Sequence, residues 1–199
     1  AFLLMLLPQG IIAQGIATAA FPTFSAQYAA GEPDLLRRTV SQTLRTVIFL
    51  SVPAAAMLFV LDQSTVGVLF EHGEFTQQST DLVVFALQFY LIGLVAHSAL
   101  EIIVRAFYAV QNTLTPVAVG IAAMVANIGL SLLLVRPLSF GGLALANSIA
   151  TTLEMLLLLW LLQKRLGGIH GRSLGGTALR STAAAGLMAA FLLLWVQWS

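Results

Sequence analysis

Residues 116–135 of the chain have the sequence PVAVGIAAMVANIGLSLLLV, which contains no charged side chain. An α-helix rises about 1.5 Å per residue, so a segment of this length spans the roughly 30 Å hydrocarbon core of a bilayer. Pro116 suits the first turn of such a helix, where its missing N–H leaves no hydrogen bond unmade. The stretch therefore predicts a transmembrane helix.

Comparable stretches occur along the whole 199-residue chain, of which 59% is hydrophobic and only 9% is charged. Soluble domains carry about 25% charged residues, so this composition excludes a water-soluble globule. The runs are rich in Ala and Leu without sustained period-2 alternation, which favours helices over strands. The predicted fold is an all-α polytopic membrane helix bundle of about six transmembrane helices, at residues 2–24, 44–61, 82–108, 116–135, 141–162 and 177–199.

The first five predicted spans form one lobe, residues 1–163, and a basic loop at 164–176 leads to the additional helix at 177–199. Residues 31–44 predict a short interfacial helix before the second span, and residues 62–81 predict an outer loop. The chain opens inside an apolar run, without an initiator Met or a basic leader. We therefore expect it to be a piece of a longer membrane protein.

The distribution of basic residues predicts the orientation of the bundle. Eight of the nine Lys and Arg residues fall on one side of the predicted spans, and only Arg136 falls on the other. Positive side chains concentrate on the cytoplasmic side of membrane proteins. Loops 25–43, 109–115 and 164–176 are therefore predicted to be cytoplasmic. The eight residues are Arg37, Arg38, Arg45, Arg105, Lys164, Arg165, Arg172 and Arg180.

Charge and motif content exclude several classes of function. The net charge of +1 is too balanced for a nucleic-acid partner. The chain has no Cys, so disulfide scaffolds and zinc-thiolate sites are excluded. It also has no P-loop, nucleophile elbow, HExxH motif or cluster of metal ligands, so we predict neither an enzyme nor a resident cofactor. A transporter, a channel or a membrane scaffold remains.

Three polar side chains inside the predicted spans are candidates for the lining of a substrate cavity. Gln9 and Gln14 lie on the first span, and Glu154 lies at the middle of the fifth. A charged side chain in hydrocarbon is energetically unfavourable, so its presence there calls for a structural or functional explanation. Two interpretations of Glu154 stay open: a proton or cation relay facing a cavity, and a protonated carboxyl that is hydrogen-bonded to a neighbouring helix.

Other polar residues in the spans are explained most simply by local contacts. Asn127 and Ser131 are four residues apart and share a helix face, which favours interhelical hydrogen bonds. Glu101 and Arg105 have the same spacing near the cytoplasmic surface and predict an ion pair. His97 lies on the face of Glu101 without an obvious partner, so we expect it only to be packed.

A ridge of small residues runs along the fifth span. Gly142, Ala146 and Ala150 recur every four residues, and small side chains at this spacing let helices approach closely. We interpret the ridge as a packing surface.

Four segments carry a resemblance to a known family. Residues 105–117, RAFYAVQNTLTPV, resemble the family segment AFYARQDTRTPV, and residues 15–25, GIATAAFPTFS, resemble GTALLPTLS. Residues 69–75, LFEHGEF, resemble an outer-loop LF..G.F motif, and residues 142–148, GLALANS, resemble GLALATS. The motifs occur in order over nearly the whole chain. They resemble the MurJ (MviN) lipid II flippases, within the multidrug/oligosaccharidyl-lipid/polysaccharide exporter superfamily.

The resemblance implies both an architecture and an activity. Family members have fourteen spans, in two six-helix lobes plus two extra helices, and this chain resembles spans eight to thirteen. They move lipid II across the bacterial inner membrane by alternating access. The implied partners are lipid II or a related polyprenyl-pyrophosphate-linked sugar, membrane lipids, and the N-terminal lobe of the same protein. The alternatives are an exporter of another polyprenyl-linked oligosaccharide or of a small-molecule cation, and a non-transporting scaffold.

The chain departs from the family pattern at the start of its first span. The family has an ADRL motif there, whose Arg lines the central cavity, whereas this chain has Ala1-Phe2-Leu3-Leu4. Leu3 therefore stands at the position of the Arg, and Leu6 stands at a nearby acidic position. The resemblance then implies that the N-terminal lobe supplies the positive charge of the cavity.

Some family members also hold a sodium ion in this lobe. The resemblance assigns the ligands to the side chains of Asn127, Ser131 and Asn147 and to the carbonyl of Leu143, with sodium between Asn127 and Asn147. Oxygen ligands suit a hard cation. Glu154 falls where the family often has Asn, so proton coupling through this carboxyl is the competing hypothesis.

Overall fold

The computed structural model describes residues 1–70, 77–167, 176, 180–189 and 192. These residues form helices and the turns between them, with no strand among them, and residues 180–189 are helical as well. This confirms the predicted all-α fold. The elements are α1 (Phe2–Pro8), a π-helical turn (Gln9–Gln14), α2 (Gly15–Ala29), α3 (Pro33–Val60), α4 (Asp62–Phe70), α5 (Gln77–Ala109) and α6 (Leu114–Leu166).

Within the described residues, four continuous helical stretches are long and apolar enough to cross a membrane. The longest is α6, whose 53 residues contain two of the predicted spans. Its backbone leaves the helical conformation at Ser139, where φ is 48° and ψ is −127°. The chain reverses direction there, so α6 consists of a first arm, residues 114–138, and a second arm, residues 140–166. The four stretches are Phe2–Ala29, Pro33–Val60, Gln77–Ala109 and Leu114–Leu166.

Several helix boundaries differ from those predicted. The segment at 31–44 is not a separate interfacial helix, because α3 is continuous from Pro33 to Val60. Its 28 residues exceed the thickness of the hydrocarbon core, so the amphipathic first turns of α3 extend beyond it. The predicted outer loop contains α4. Residues 71–76, 168–175 and 193–199, which include parts of the outer-loop motif, the basic loop and the last predicted span, lie outside the described residues.

Tight turns replace the other two predicted cytoplasmic loops. After α2, the N–H of Gly31 donates to the carbonyl of Tyr28, and the N–H of Glu32 donates to that of Gln27. These two bonds define a Schellman motif, whose left-handed residue is Gly31 with φ of 71°. The turn after α5 has the same pattern, with Gln111 in the left-handed position at φ of 56°. Both turns lie at the end of the bundle that carries most basic residues, which we call the basic end.

The apolar interior of the bundle has two parts, and α5 contributes to both. One part, the basic-end cluster, includes Phe24, Leu44, Phe107 and Leu162. The other, the opposite-end cluster, includes Met5, Val66, Leu87 and Leu94. Every other named element packs against α5, and α3 also packs against α2, α4 and the π-helical turn. The central position of α5 therefore organises the lobe.

The backbone of α5 approaches the second arm of α6 closely, and the two arms of α6 approach each other closely. These contacts fix the relative positions of the helices. Ser148 Oγ donates to the carbonyl oxygen of Phe89 at 2.7 Å. A Cβ at Gly93 would lie 2.6 Å from Ser148 Oγ, and a Cβ at Gly142 would lie 2.1 Å from the carbonyl oxygen of Leu134. Glycine is therefore required at both positions for the helices to meet.

A proline determines where the last described helical segment attaches. Pro53 lies inside α3 and has no N–H, so the carbonyl of Phe49 one turn earlier loses its helical donor. Ser181 Oγ donates to this carbonyl oxygen at 3.2 Å. The 180–189 segment is thereby hydrogen-bonded to the middle of the second span.

We predict that Gly142→Ala destabilises the protein, whereas Gly129→Ala does not. The added methyl at Gly142 overlaps backbone atoms of the first arm, and overpacking of this kind costs about 1–3 kcal/mol. Nothing lies within 4 Å of a Cβ at Gly129, where alanine favours the helix. Thermal unfolding of the detergent-solubilised variants measures both effects. Equal melting temperatures for the two variants would contradict the close approach.

Candidate functional site

A π-helical turn interrupts the first span at the two glutamines that the sequence singles out. It comprises Gln9–Gln14 and follows directly after Pro8. Gln9 is 5% exposed, and its Oε1 has no hydrogen-bond partner among the described residues. Gln14 is exposed. The two predicted cavity residues therefore lie on different sides of the helix, one inside the bundle and one on its surface. Single π turns inside α-helices occur frequently at functional sites.

The exposed face of the first span changes in polarity along its length. Toward the opposite end it presents Leu3, which is 72% exposed, Leu7 and Ile11. Toward the basic end it presents Gln14 and Thr18. The face therefore offers hydrocarbon to one half of a neighbouring molecule and hydrogen-bonding groups to the other half.

Arg105 of α5 lies at the polar end of this exposed face. Its Nη1 donates to the carboxylate of Glu101 one turn earlier and to the Glu101 carbonyl oxygen at 3.2 Å. Its Nη2 contacts Thr18 Oγ1 at 3.5 Å. The side chains of Arg105 and Glu101 are each 24% exposed. The ion pair thus positions a guanidinium beside the first span while leaving part of it accessible.

The third predicted cavity residue, Glu154, lies in a groove between the two arms of α6. The groove has a volume of about 160 Å³, and a Cβ on the facing Gly120 would lie 3.4 Å from Glu154 Oε1. Its lining comes from α6 alone, so neither Gln9 nor Gln14 contributes to it. The other residues of the lining are Val119, Ala122, Ala123, Ala126, Ala150, Leu153 and Leu157.

The residues that the resemblance assigns to sodium make hydrogen bonds to protein groups in this arrangement. Ser131 Oγ donates to Asn127 Oδ1 at 3.2 Å on the first arm. Asn147 Oδ1 instead accepts from His97 Nε2 at 3.0 Å, and Leu143 is 41% exposed. Both amide oxygens are therefore engaged by protein donors. Among the described residues, no group of three or more His, Cys, Asp or Glu could hold a metal ion.

The hydrogen bond of His97 was not predicted from the sequence, which led us to expect packing alone. The bond joins α5 to the second arm of α6, across 50 residues of sequence. A second bond of this kind joins Gln88 Nε2 to Asp62 Oδ2 at 2.7 Å, and Asp62 is buried. The polar residues themselves are visible in the sequence, but their pairing depends on how the helices pack.

We predict an energetic coupling between His97 and Asn147. In a double-mutant cycle of His97→Phe and Asn147→Leu, the coupling should be about 0.6–1.7 kcal/mol, the range of hydrogen bonds between membrane helices. The measurement is the free energy of unfolding in mixed micelles. A matched cycle of His97→Phe and Asn127→Leu should be additive within about 0.5 kcal/mol, because Asn127 bonds to Ser131 instead. Additivity in the first cycle would exclude the bond.

Long apolar helices, buried polar side chains and a partly polar exposed face together define a multi-span helical membrane protein of the transporter type. The chain belongs to the lipid II flippase MurJ family, whose profile matches residues 1–199. The family predicted from the four motifs is thereby confirmed. It is a family of transporters rather than of catalytic enzymes.

Individual relatives show how much of a family member this chain represents. A Vibrio cholerae protein named probable lipid II flippase MurJ is 34% identical over 76% of this chain and 29% of its own length. The protein of that name from Rhizobium meliloti is 31% identical over 96% of this chain and 36% of its own length. The chain thus spans about a third of these relatives.

A solved structure has the same fold. The lipid II flippase MurJ in an inward closed conformation matches 96% of this chain and 42% of its own chain, with a TM-score of 0.79 and 23% sequence identity. The helical arrangement described above is therefore that of a part of this longer solved chain.

Proposed function

We propose that this chain forms part of a lipid II flippase that works by alternating access. Family membership supports this proposal, and so does the name that the relatives share. The observation in the structure that carries it is the exposed face of the first span, apolar at Leu3, Leu7 and Ile11 and polar beside Arg105. A lipid-linked sugar has the same division between a hydrocarbon tail and an anionic head.

The physical problem is to move a polar headgroup across hydrocarbon while the tail stays in the membrane. A guanidinium matches the geometry of phosphate oxygens and forms charge-assisted hydrogen bonds with them. Because Glu101 and Thr18 hold Arg105 at the basic end of the exposed face, Arg105 is suited to contact the pyrophosphate. The apolar part of the same face would lie along the polyprenyl chain.

We further propose that the protein resides in the bacterial inner membrane with the basic end in the cytoplasm. The clustering of Lys and Arg at this end supports that orientation. Lipid II would then meet Arg105 from the inner leaflet. The N-terminal lobe of the same protein would form the other wall of the cavity, and rocking of one lobe against the other would expose the cavity to each side in turn.

We predict that the full-length protein restores growth to cells depleted of their lipid II flippase, and that Arg105→Ala abolishes the rescue. Arg105→Ala removes the positive charge that we assign to the pyrophosphate. Glu101→Gln breaks the ion pair but keeps the guanidinium, so it should retain much of the rescue. Arg136→Ala, an exposed arginine at the opposite end, is the matched control. Growth is compared at equal membrane expression.

The outcomes separate the proposal from its alternatives. If Glu101→Gln and Arg105→Ala fail equally, the ion pair serves only to stabilise the helix contact. If the unaltered protein fails and Leu3→Arg restores rescue, the fold carries another polyprenyl-linked oligosaccharide. If neither protein rescues, an exporter of a small-molecule cation or a scaffold becomes the better explanation.

We also propose that Glu154 couples transport to proton binding. Its carboxyl lies in a groove whose other lining side chains are apolar, with Gly120 facing it. A carboxylate there has no cation on the lining, so protonation is the simplest way to neutralise it. Sodium is not part of this proposal, because Asn127 and Asn147 are engaged by Ser131 and His97.

We predict that Glu154→Gln uncouples transport from the proton gradient while the protein stays folded. Glutamine keeps the size of the protonated carboxyl but binds no proton. Rescue by this variant should no longer respond to external pH, whereas Asp81→Asn, an exposed carboxylate near the opposite end, should behave like the unaltered protein. A Glu154→Gln variant with the normal response to pH would show that the carboxyl is only a structural hydrogen-bonding group.

A further inference from the structure

The two apolar clusters of the bundle are separated by a polar residue on each of three helices. On the first span, Met5 belongs to the opposite-end cluster and Ala13 to the basic-end cluster. Gln9 lies midway between them, one turn from each. Its side chain is buried inside the bundle, as shown by its 5% exposure.

The same arrangement occurs on α3 and α5. On α3, Ser51 lies between Val47 of the basic-end cluster and Ala55, which packs on the opposite-end cluster. On α5, Ser98 lies between residue 94 of the opposite-end cluster and residue 99 of the basic-end cluster. Each polar residue lies at the boundary between the same two clusters, so the three residues lie at a common level of the bundle. We call Gln9, Ser51 and Ser98 the polar layer.

Each member of the polar layer has a buried side-chain oxygen without a protein partner. The residues are 5%, 2% and 0% exposed, and the unpaired atoms are Gln9 Oε1, Ser51 Oγ and Ser98 Oγ among the described residues. Ser41, which is equally buried on α3, behaves differently, because its Oγ donates to the carbonyl of Arg37 at 2.7 Å. Buried polar atoms without any partner are rare in folded proteins. The three unpaired oxygens of the polar layer therefore call for a hydrogen-bonding partner.

The polar layer coincides with the π-helical turn. The turn begins at Gln9, so the residue with the unpaired amide oxygen is also the first residue with π-helical backbone hydrogen bonding. Helices bend at π turns and at places where water inserts into the backbone ladder. The unpaired amide oxygen and the altered helical pairing thus lie at the same place in the bundle.

We propose that Gln9, Ser51 and Ser98 bind buried water, and that this water stabilises the π-helical turn of the first span. The amide oxygen accepts hydrogen bonds, and each hydroxyl can donate one and accept another. A buried water commonly makes two to four hydrogen bonds, which these three groups supply. The ligand is neutral, because the layer contains no carboxylate that would balance a cation.

The sign of the stability change in Ser98→Ala tests the proposal in the full-length protein. If Ser98 Oγ binds water, alanine removes a hydrogen bond, and the melting temperature of the full-length protein should fall by about 1 °C. If the hydroxyl has no partner, its removal from an apolar site should raise the melting temperature. Ser41→Ala is the matched control for replacing a buried helical serine, because the Ser41 bond lies within one helix turn.

Radiolytic footprinting gives a second measurement that does not depend on stability. X-ray radiolysis of a bound water produces hydroxyl radicals, which oxidise a side chain beside that water even when it is buried. Met5 is the reporter, since it is 0% exposed and lies one turn before Gln9. We expect Met5 to be oxidised in the unaltered protein and at least several-fold less in a Gln9→Leu variant, with Tyr28, exposed in the last turn of α2, as the reference.

The proposal is upheld if Ser98→Ala lowers the melting temperature and Met5 oxidation depends on Gln9. It is overturned if Ser98→Ala raises the melting temperature, or if Met5 stays unoxidised while Tyr28 reacts. Neither readout involves transport, so the result stands whichever substrate the full-length protein carries.

Discussion

The packing of the lobe depends on α5, because several helices must approach this helix closely at the same time. In a bilayer, helices gain little from apolar burial against each other, so association relies on close packing and hydrogen bonds. The α5 residues that face its neighbours include Gly93, Ala96, Ala99 and Ala106, all of them small and buried. These residues let α5 serve as the common packing partner of the bundle, and their size sets where every other helix can lie.

Close packing also determines which polar groups find partners. Where α5 meets the second arm of α6, Ser148 and Asn147 come within reach of the Phe89 carbonyl and of His97. The hydrogen bonds follow from the contact at Gly93, which brings the two backbones together. One turn further along α5 from Leu94, Ser98 meets no such group among the described residues. Satisfied and unsatisfied polar groups therefore lie side by side on one helix.

The sequence predicts the helices well because a bilayer imposes a simple requirement on length and charge. The stretch at 116–135 shows this clearly, since its lack of charge and its length are sufficient to assign a span. The π-helical turn was not predictable, because no single residue in Gln9–Gln14 requires backbone hydrogen bonds between residues five apart. The bond from His97 to Asn147 was missed for another reason: it depends on the register of two helices far apart in sequence. Long apolar segments thus fix the elements, whereas the site depends on packing that they do not determine.

The polar residues of the spans divide into two groups with different physical meaning. Asn127 with Ser131, and His97 with Asn147, form hydrogen-bonded pairs, and the second pair joins two helices. Gln9 Oε1 has no partner among the described residues, and Glu154 lies in a groove whose other lining side chains are apolar. An unpaired polar group in hydrocarbon is unfavourable. It is retained most readily where a ligand, a water or a proton completes it, so these two groups join Arg105 as the expected places of function in this lobe.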